Sequence, residues 1–305
     1  MATESQRWWS EETVAVVTGA NRGIGLEITR QLADKGITVI MTARKPQEEL
    51  SSAAGTFLQE GRRNVVFHTL DIDQPQSVLE FVQWLKTKAG FVDILVNNAG
   101  VAKSEVDWEF VQKNNVDSAT IIGDIRWMDG ISEKYESAKE CIGTNYYGTK
   151  RVTEALVPLL RPSSYQPRIV NISSLLGLLS FLRDEEVRKE LGDVETLSEE
   201  KIERVLEAFL EDVKRERKLS RWPHKFPSYA LSKVALNAYT RVLARRLEGK
   251  ACVNSVHPGY VKTDMTLGTG DLSPSQGAHH VVSLALSPPP SPSAHNFLQH
   301  HQSSF

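Results

Sequence analysis

The chain has 305 residues, 40% hydrophobic and 24% charged, with a formal net charge of −2. That balance suits a soluble globular protein with ample apolar material for a core, and gives no global attraction for nucleic acid or an acidic membrane. Two cysteines, Cys141 and Cys252, are too few for a disulfide framework, no run reaches the roughly 18 apolar residues of a membrane span, and the polar opening MATESQRWWSEE lacks a signal-peptide core, so the expected location is the cytoplasm.

In chain order, TVAVVT (13–18) is a short β-branched strand candidate, followed by GANRGIG and by LEITRQLADKG, a helical pattern that Gly36 stops. ITVIMTA (37–43) and NVVFHTL (64–70) are the next two strands. Asp73 offers an N-cap and Pro75 an early proline for a helix carrying Val78, Leu79, Val82 and Leu85. VDILVNN (92–98), RIVNIS (168–173) and ACVNSVH (251–257) are three further strands. Continuous apolar strands alternating with helical patterns predict a parallel sheet covered on both faces, the doubly wound, Rossmann-like α/β arrangement, in a single domain.

Two insertions interrupt the alternation. Residues 101–140 mix acids with Trp108, Phe110, Ile121, Ile122, Trp127 and Met128 and suit a flap over a substrate. Residues 175–227 contain a clearer helix, with Thr196 and Glu199 spaced as a capping box and a stripe of Ile202, Val205, Leu206, Phe209 and Val213. The charges that follow (Lys214, Arg215, Arg217, Lys218) read as a solvated helix end rather than a nucleic-acid patch. The ending SPPPSPSAHNFLQHHQSSF (287–305) carries prolines at 288, 289, 290 and 292, which argue against a buried strand, so a disordered tail is expected. His300 and His301 have no acids or thiols around them, and no metal site is expected.

The chemistry starts at TGANRGIG (18–25), between the first strand and the first helix. Gly19, Gly23 and Gly25 permit a tight turn and close approach to a pyrophosphate, while the helix N-terminus supplies free N–H groups and a positive dipole. Where an acid would hold the ribose 2′-hydroxyl of NAD, the second strand ends Thr42-Ala43-Arg44-Lys45. Arg22 and Arg44 flanking one locus suit a 2′-phosphate through charge-assisted contacts, so NADP(H) is the expected cofactor. Further on, SYALSK (228–233) puts Tyr229 and Lys233 one helical turn apart, a spacing that chance also produces.

Taken as a set, TGANRGIG, LDID (70–73), NNAG (97–100), NYYG (145–148), VNISS (170–174), YALSK (229–233) and HPGYVKTDM (257–265) resemble the short-chain dehydrogenase/reductase family, in the family's order. The long insertions resemble its subgroup of monomeric carbonyl reductases and plant menthone and salutaridine reductases. Asn98 and Asn145 are 47 positions apart, and Ser174 and Tyr229 are 55 apart. The resemblance implies that Tyr229 is the general acid, that Lys233 binds the nicotinamide ribose and lowers the phenol's pKa, that Ser174 holds the substrate oxygen, and that Asn145 fixes a local helix and a water. It also implies cofactor contacts by the loop residues Gly19, Asn21, Arg22, Gly23, Ile24 and Gly25. Asp71 and Ile72 would face the adenine, Asn98, Ala99 and Gly100 the adjoining ribose, and Pro258, Gly259, Val261 and Thr263 the carboxamide. Ser173, by contrast, reads as a packing neighbour of Ser174.

The expected activity is NADPH-dependent, reversible reduction of a ketone or aldehyde on a small apolar molecule of terpenoid or alkaloid type. The alternatives are an enone C=C reductase and a non-catalytic NADP(H)-binding sensor. A monomer is expected, because the insertion 175–227 would cover the helix that relatives use as an interface. Relatives close their sheet with an apolar seventh strand, which the proline-rich ending puts in doubt here.

Overall fold

The apolar runs become strands because most are buried on both sides, with the edge run 65–69 half-buried. In the computed structural model, which describes residues 7–44, 55–57, 59–103, 105–106, 109, 113, 131–162 and 165–305, the strands are β1 (Val14–Val17), β2 (Thr38–Ala43), β3 (Val65–Thr69), β4 (Ile94–Asn97), the short pair β5 (Glu105–Val106) and β6 (Ile131–Ser132), β7 (Arg168–Ile172), β8 (Cys252–His257), β9 (Asn296–Leu298) and β10 (His301–Ser303). The main sheet runs β10-β9-β8-β7-β4-β1-β2-β3. Its pairings are parallel except for β10 against β9.

Alternate residues of each strand feed two cores. Val16, Ile40, Leu95, Ile169 and Val253 face one side with Phe81 and Leu85 of the helix Pro75–Lys88 and Leu231 and Val234 of the helix Pro227–Arg246. Val17, Val39, Met41, Val96 and Val170 face the other, with Ile28 and Leu32 of the helix Gly23–Ala33 and Val281 of the helix Pro274–Ala285. The expected doubly wound sheet is therefore present.

The insertion 175–227 packs over the helix Pro227–Arg246. Its helix, Glu199–Lys214, buries Ile202, Val205, Leu206, Phe209 and Val213, the whole predicted stripe. Fully burying each such side chain is worth about 1.5–3 kcal/mol against leaving it in water. Trp222 meets Phe209 edge-on at 5.4 Å and donates its indole N–H to Asp212 at 3.0 Å. Arg241 and Arg245 then donate across the junction to the carbonyls of Leu191 (2.6 Å) and Leu197 (2.7 Å). The basic run at the end of this helix is solvated and locally paired, Arg215 with Glu211 and Arg217 with Asp212.

Two caps differ from expectation. Ser198, not Thr196, accepts the helix N–H of Lys201, while Thr196 donates to Asp193 at 2.7 Å. Gln74 occupies the N-cap of Pro75–Lys88 without a side-chain bond, because the Asp73 carboxylate accepts instead from the Thr144 hydroxyl at 2.7 Å. Of the first insertion, Trp108, Phe110, Ile121, Ile122, Trp127 and Met128 lie outside the described residues, and with them most of the expected flap.

The expected disordered tail is corrected, and the doubted seventh strand is present. β9 pairs in parallel with β8, Ser255 to Asn296 through His257 to Leu298. Asn296 is fully buried and accepts from the Ser255 hydroxyl at 3.0 Å. The prolines do not prevent this, because they precede the strand: the Pro292 carbonyl accepts from the Asn254 amide at 2.8 Å, and Ala294 N–H donates to Val253. The His300 ring rests edge-on against His280 at 4.2 Å, and Phe305 lies over the Arg241 guanidinium at 4.3 Å. Three residues without period-2 patterning suffice for a strand when its partner groups are already waiting. Deleting 287–305 should therefore lower the melting temperature by about 5 °C or more in calorimetry. A truncated chain melting with the full-length protein would contradict the packed tail.

Candidate active site

The site lies beyond the C-terminal ends of β1 and β4, where the strand order changes direction and an open α/β sheet leaves a crevice. The glycine loop lines it. Gly19 and Gly23 have φ of 61° and 56°, and a Cβ on Gly19 would stand 2.8 Å from Ala99 Cα. A Cβ on Gly25 would stand 2.4 Å from the Asn98 amide nitrogen. The helix Gly23–Ala33 has no side-chain cap at Arg22 and no acid in its first turn, so its leading N–H groups face the crevice with the dipole's positive end. Asn21 and Ile24 are partly exposed on the same loop. A backbone that only glycine can line, at an uncapped helix start, fits a pyrophosphate-bearing dinucleotide.

The loop is braced from β4. The Asn98 amide donates to the carbonyls of Thr18 (2.8 Å) and Gly19 (2.9 Å), so it props the loop and has no donor left over for a ribose. Thr18, which sequence reasoning passed over, accepts from the N–H groups of both Asn98 and Ala99 at 3.0 Å. Its only sequence signal is its place at a strand end directly before Gly19. Asn97 bonds Thr153 and Asn171, a structural role in the buried sheet.

Ala20 N–H donates to the Thr42 carbonyl, which holds the loop against the end of β2, where Arg44 is exposed. Arg22 pairs with Asp264 at 2.5 Å, both side chains being mostly exposed. The Arg22 guanidinium is thus already engaged by a carboxylate. Asp71 is partly exposed at the end of β3, whereas the side chain of Ile72 is buried against the Gly148 turn, which leaves its backbone to serve a ligand.

The predicted acid–base residues converge from four segments. Every residue of the helix from Pro227 to Ala244 is buried except Tyr229, which is partly exposed at its first turn. Lys233 Nζ lies 5.7 Å from the Tyr229 ring centre and donates to the Ile172 carbonyl at 2.8 Å. Ser174 follows the end of β7, and its hydroxyl accepts from Leu176 N–H at 3.2 Å. Asn145 sits in a π-helical turn, Gly143–Gly148. Its side chain accepts from Val101 N–H (2.8 Å) and donates to the Val101 carbonyl (2.9 Å) and the Ser232 hydroxyl (2.9 Å). Gly100 leaves the space between Asn145 and Lys233 open, since a Cβ there would meet both.

Burial dominates the electrostatics. It pushes the Tyr229 phenol up to about 12, against a smaller lowering by hydrogen bonding with Ser174. It pulls the Lys233 ammonium down to about 8. Burial and Cys141 raise the phenol and only the Ser174 hydrogen bond lowers it, so Lys233 makes no contribution to it in this arrangement. Ser173 is a packing neighbour: its buried hydroxyl has no hydrogen-bond partner and stands 2.9 Å from where a Gly177 Cβ would be.

The last segment follows β8. Gly259 has a φ of 98° and lies under Leu272, while Pro258 offers its carbonyl to the His280 ring at 2.8 Å. His257 is forced down to about 4 by burial and by His280. Val261 is 2% exposed, its side chain turned toward Gly277, so only its backbone can serve a ligand. Thr263 reaches the glycine loop, with its methyl 3.4 Å from a Cβ position on Gly23. Among the described residues no group of three or more His, Cys, Asp or Glu is placed to hold a metal.

The arrangement sets a glycine loop that fits a dinucleotide at the same end of the sheet as the Tyr229 phenol, the Ser174 hydroxyl and the Lys233 ammonium. Comparison with known proteins agrees with that geometry. The family described as short chain dehydrogenase matches residues 13–183, and one described as enoyl-(acyl carrier protein) reductase matches 217–304. The chain is 42% identical over 298 residues to short-chain dehydrogenase/reductase 1 of Saponaria officinalis, covering 95% of each. It is 41% identical to the solved salutaridine reductase of Papaver somniferum, with a TM-score of 0.84 over 94% of this chain and 99% of the other. It is 39% identical to the menthone neomenthol reductase of Mentha piperita, with a TM-score of 0.78 over 94% and 98%.

Proposed function

The chain belongs to the short-chain dehydrogenase/reductase family, and we propose that it uses NADPH to reduce a ketone or aldehyde on a small apolar molecule, of terpenoid or alkaloid type, to the alcohol. The observation that carries the reading is Tyr229, left partly exposed on an otherwise buried helix with Lys233 one turn behind it and a Ser174 hydrogen bond beside it. The substrate class is supported by the relatives named for salutaridine and menthone.

A nicotinamide cofactor held at the glycine loop would supply hydride chemistry for the carbonyl carbon. Ser174 holds the carbonyl oxygen, and Tyr229 Oη gives its proton to that oxygen as negative charge gathers there. The phenolate left behind is stabilised by the Lys233 ammonium, and Asn145 holds the neighbouring backbone in place. Run backward, the same groups accept a proton from a secondary alcohol. An intact tyrosine, lysine and serine favour this reading over a C=C reductase or a non-catalytic sensor.

NADPH is preferred in this reading because Arg44 ends β2 where an acid would serve NAD. Arg22 can join it: an exposed ion pair such as Arg22–Asp264 is worth no more than about 1 kcal/mol, so a phosphate can displace the carboxylate. The monomeric state is supported by the insertion that packs on the catalytic helix, and the cytosolic location by two cysteines that are free and buried.

Tyr229→Phe should lower kcat by at least about a thousandfold while NADPH still binds, as read by stopped-flow absorbance and fluorescence titration. Retention of a tenth of the wild-type rate would remove Tyr229 from the acid role. Arg44→Asp should cut the NADPH-to-NADH ratio of kcat/KM by about tenfold or more, whereas equal use of both by the wild type contradicts the 2′-phosphate reading. Sedimentation at micromolar concentration should give a mass near 34.1 kDa. A dimer mass would mean that the insertion does not cap the interface.

A further inference from the structure

We propose that Glu133 is a positioning residue for Tyr229: its carboxylate, brought by the first insertion, caps the start of the catalytic helix and fixes the backbone that carries the phenol. The inference rests on the reading of Tyr229 as the acid.

The helix Pro227–Arg246 begins without a cap of its own. Its N-cap, Phe226, is in the left-handed region at φ 47° and makes no side-chain bond. Pro227 has no N–H to offer. Ser228 therefore supplies the first donor of the helix, and it is fully buried, where an unmet N–H is costly. Glu133 meets it: one carboxylate oxygen accepts from the Ser228 N–H at 3.3 Å and from the Ser228 hydroxyl at 3.1 Å. An anion at this end is also favoured by the helix dipole.

Tyr229 is the next residue, and it is pinned from the other side too. Ser232 donates its hydroxyl to the Tyr229 carbonyl at 2.7 Å and accepts from the Asn145 amide at 2.9 Å. Asn145 in turn is bonded in both directions to Val101. Val101 opens the first insertion and Glu133 lies near its close, just after β6. The two ends of the insertion thus grip the turn that bears Tyr229. Any displacement of that segment reaches the phenol through Ser228, and errors of an ångström at a reacting group are expensive in rate.

The test compares Glu133→Ala, Glu133→Gln and Tyr229→Phe in the full chain. Hydrogen exchange of the 226–232 segment is followed by mass spectrometry, together with reduction of menthone or whichever ketone or aldehyde the wild type turns over. Glu133→Ala should speed exchange in that segment and lower kcat about tenfold, with the KM for the ketone and the Kd for NADPH within about twofold. Glu133→Gln keeps an acceptor oxygen and should restore both readouts to within about threefold of wild type. Unchanged exchange and rate in Glu133→Ala overturn the proposal. So does a Glu133→Gln variant as impaired as the alanine, which would make the charge the function, and so does a parallel loss of NADPH affinity, which would mark general damage. Should Tyr229→Phe stay active, the acid reading fails by itself, whatever Glu133 does.

Discussion

The burial of one helix governs the rest of the molecule. Pro227–Arg246 lies between the sheet and the second insertion, and from Pro227 to Ala244 it leaves Tyr229 alone partly open. A surface helix would show a polar stripe; this one is enclosed on its whole circumference, which is why its sequence lacks strong amphipathic patterning. Enclosure fixes the phenol and ammonium on one line and removes the solvent that would otherwise blur their positions. It also explains why the insertion carries so much apolar material: Ile202, Leu206, Phe209 and Trp222 join the core that holds Leu231, Leu236 and Leu243 of the helix.

The same burial sets the electrostatic state. A phenol pushed up to about 12 and an amine pulled down to about 8 describe groups whose charged forms are both disfavoured by the enclosure. Proton transfer from Tyr229 to a carbonyl oxygen leaves a phenolate in that same space, and Lys233, 5.7 Å from the ring centre, is the cation able to answer it. On this account the tuning of the phenol is a property of the loaded site. The loop at Gly19, Gly23 and Gly25 is preformed, whereas Arg22 is held by Asp264.

Much of this was legible in the sequence. The six apolar runs all became strands because alternation into two cores needs only apolar side chains on both faces, a pattern that survives without tertiary knowledge. The glycine loop and the Tyr229–Lys233 spacing were readable for the same reason, since backbone approach and helical periodicity are local. What failed was non-local. Asn296–Leu298 carries no strand signature of its own and pairs because β8 offers a free edge. Thr196 lost the cap to Ser198, and Asp73 lost it to a bond with Thr144 on a distant turn. The contact of Glu133 with Ser228 joins residues 95 positions apart. No local pattern announces it.

The central claim is that hydride reaches a carbonyl carbon while Tyr229 protonates the oxygen. The direct measurement is to supply NADPH deuterated at the transferring position, together with a cyclic ketone, a conjugated enone and an aryl aldehyde, and to locate the label in the product by NMR. The account predicts an alcohol with deuterium on the carbinol carbon. Deuterium on a former alkene carbon with the carbonyl intact, or cofactor binding with no turnover of any of the three, would contradict it.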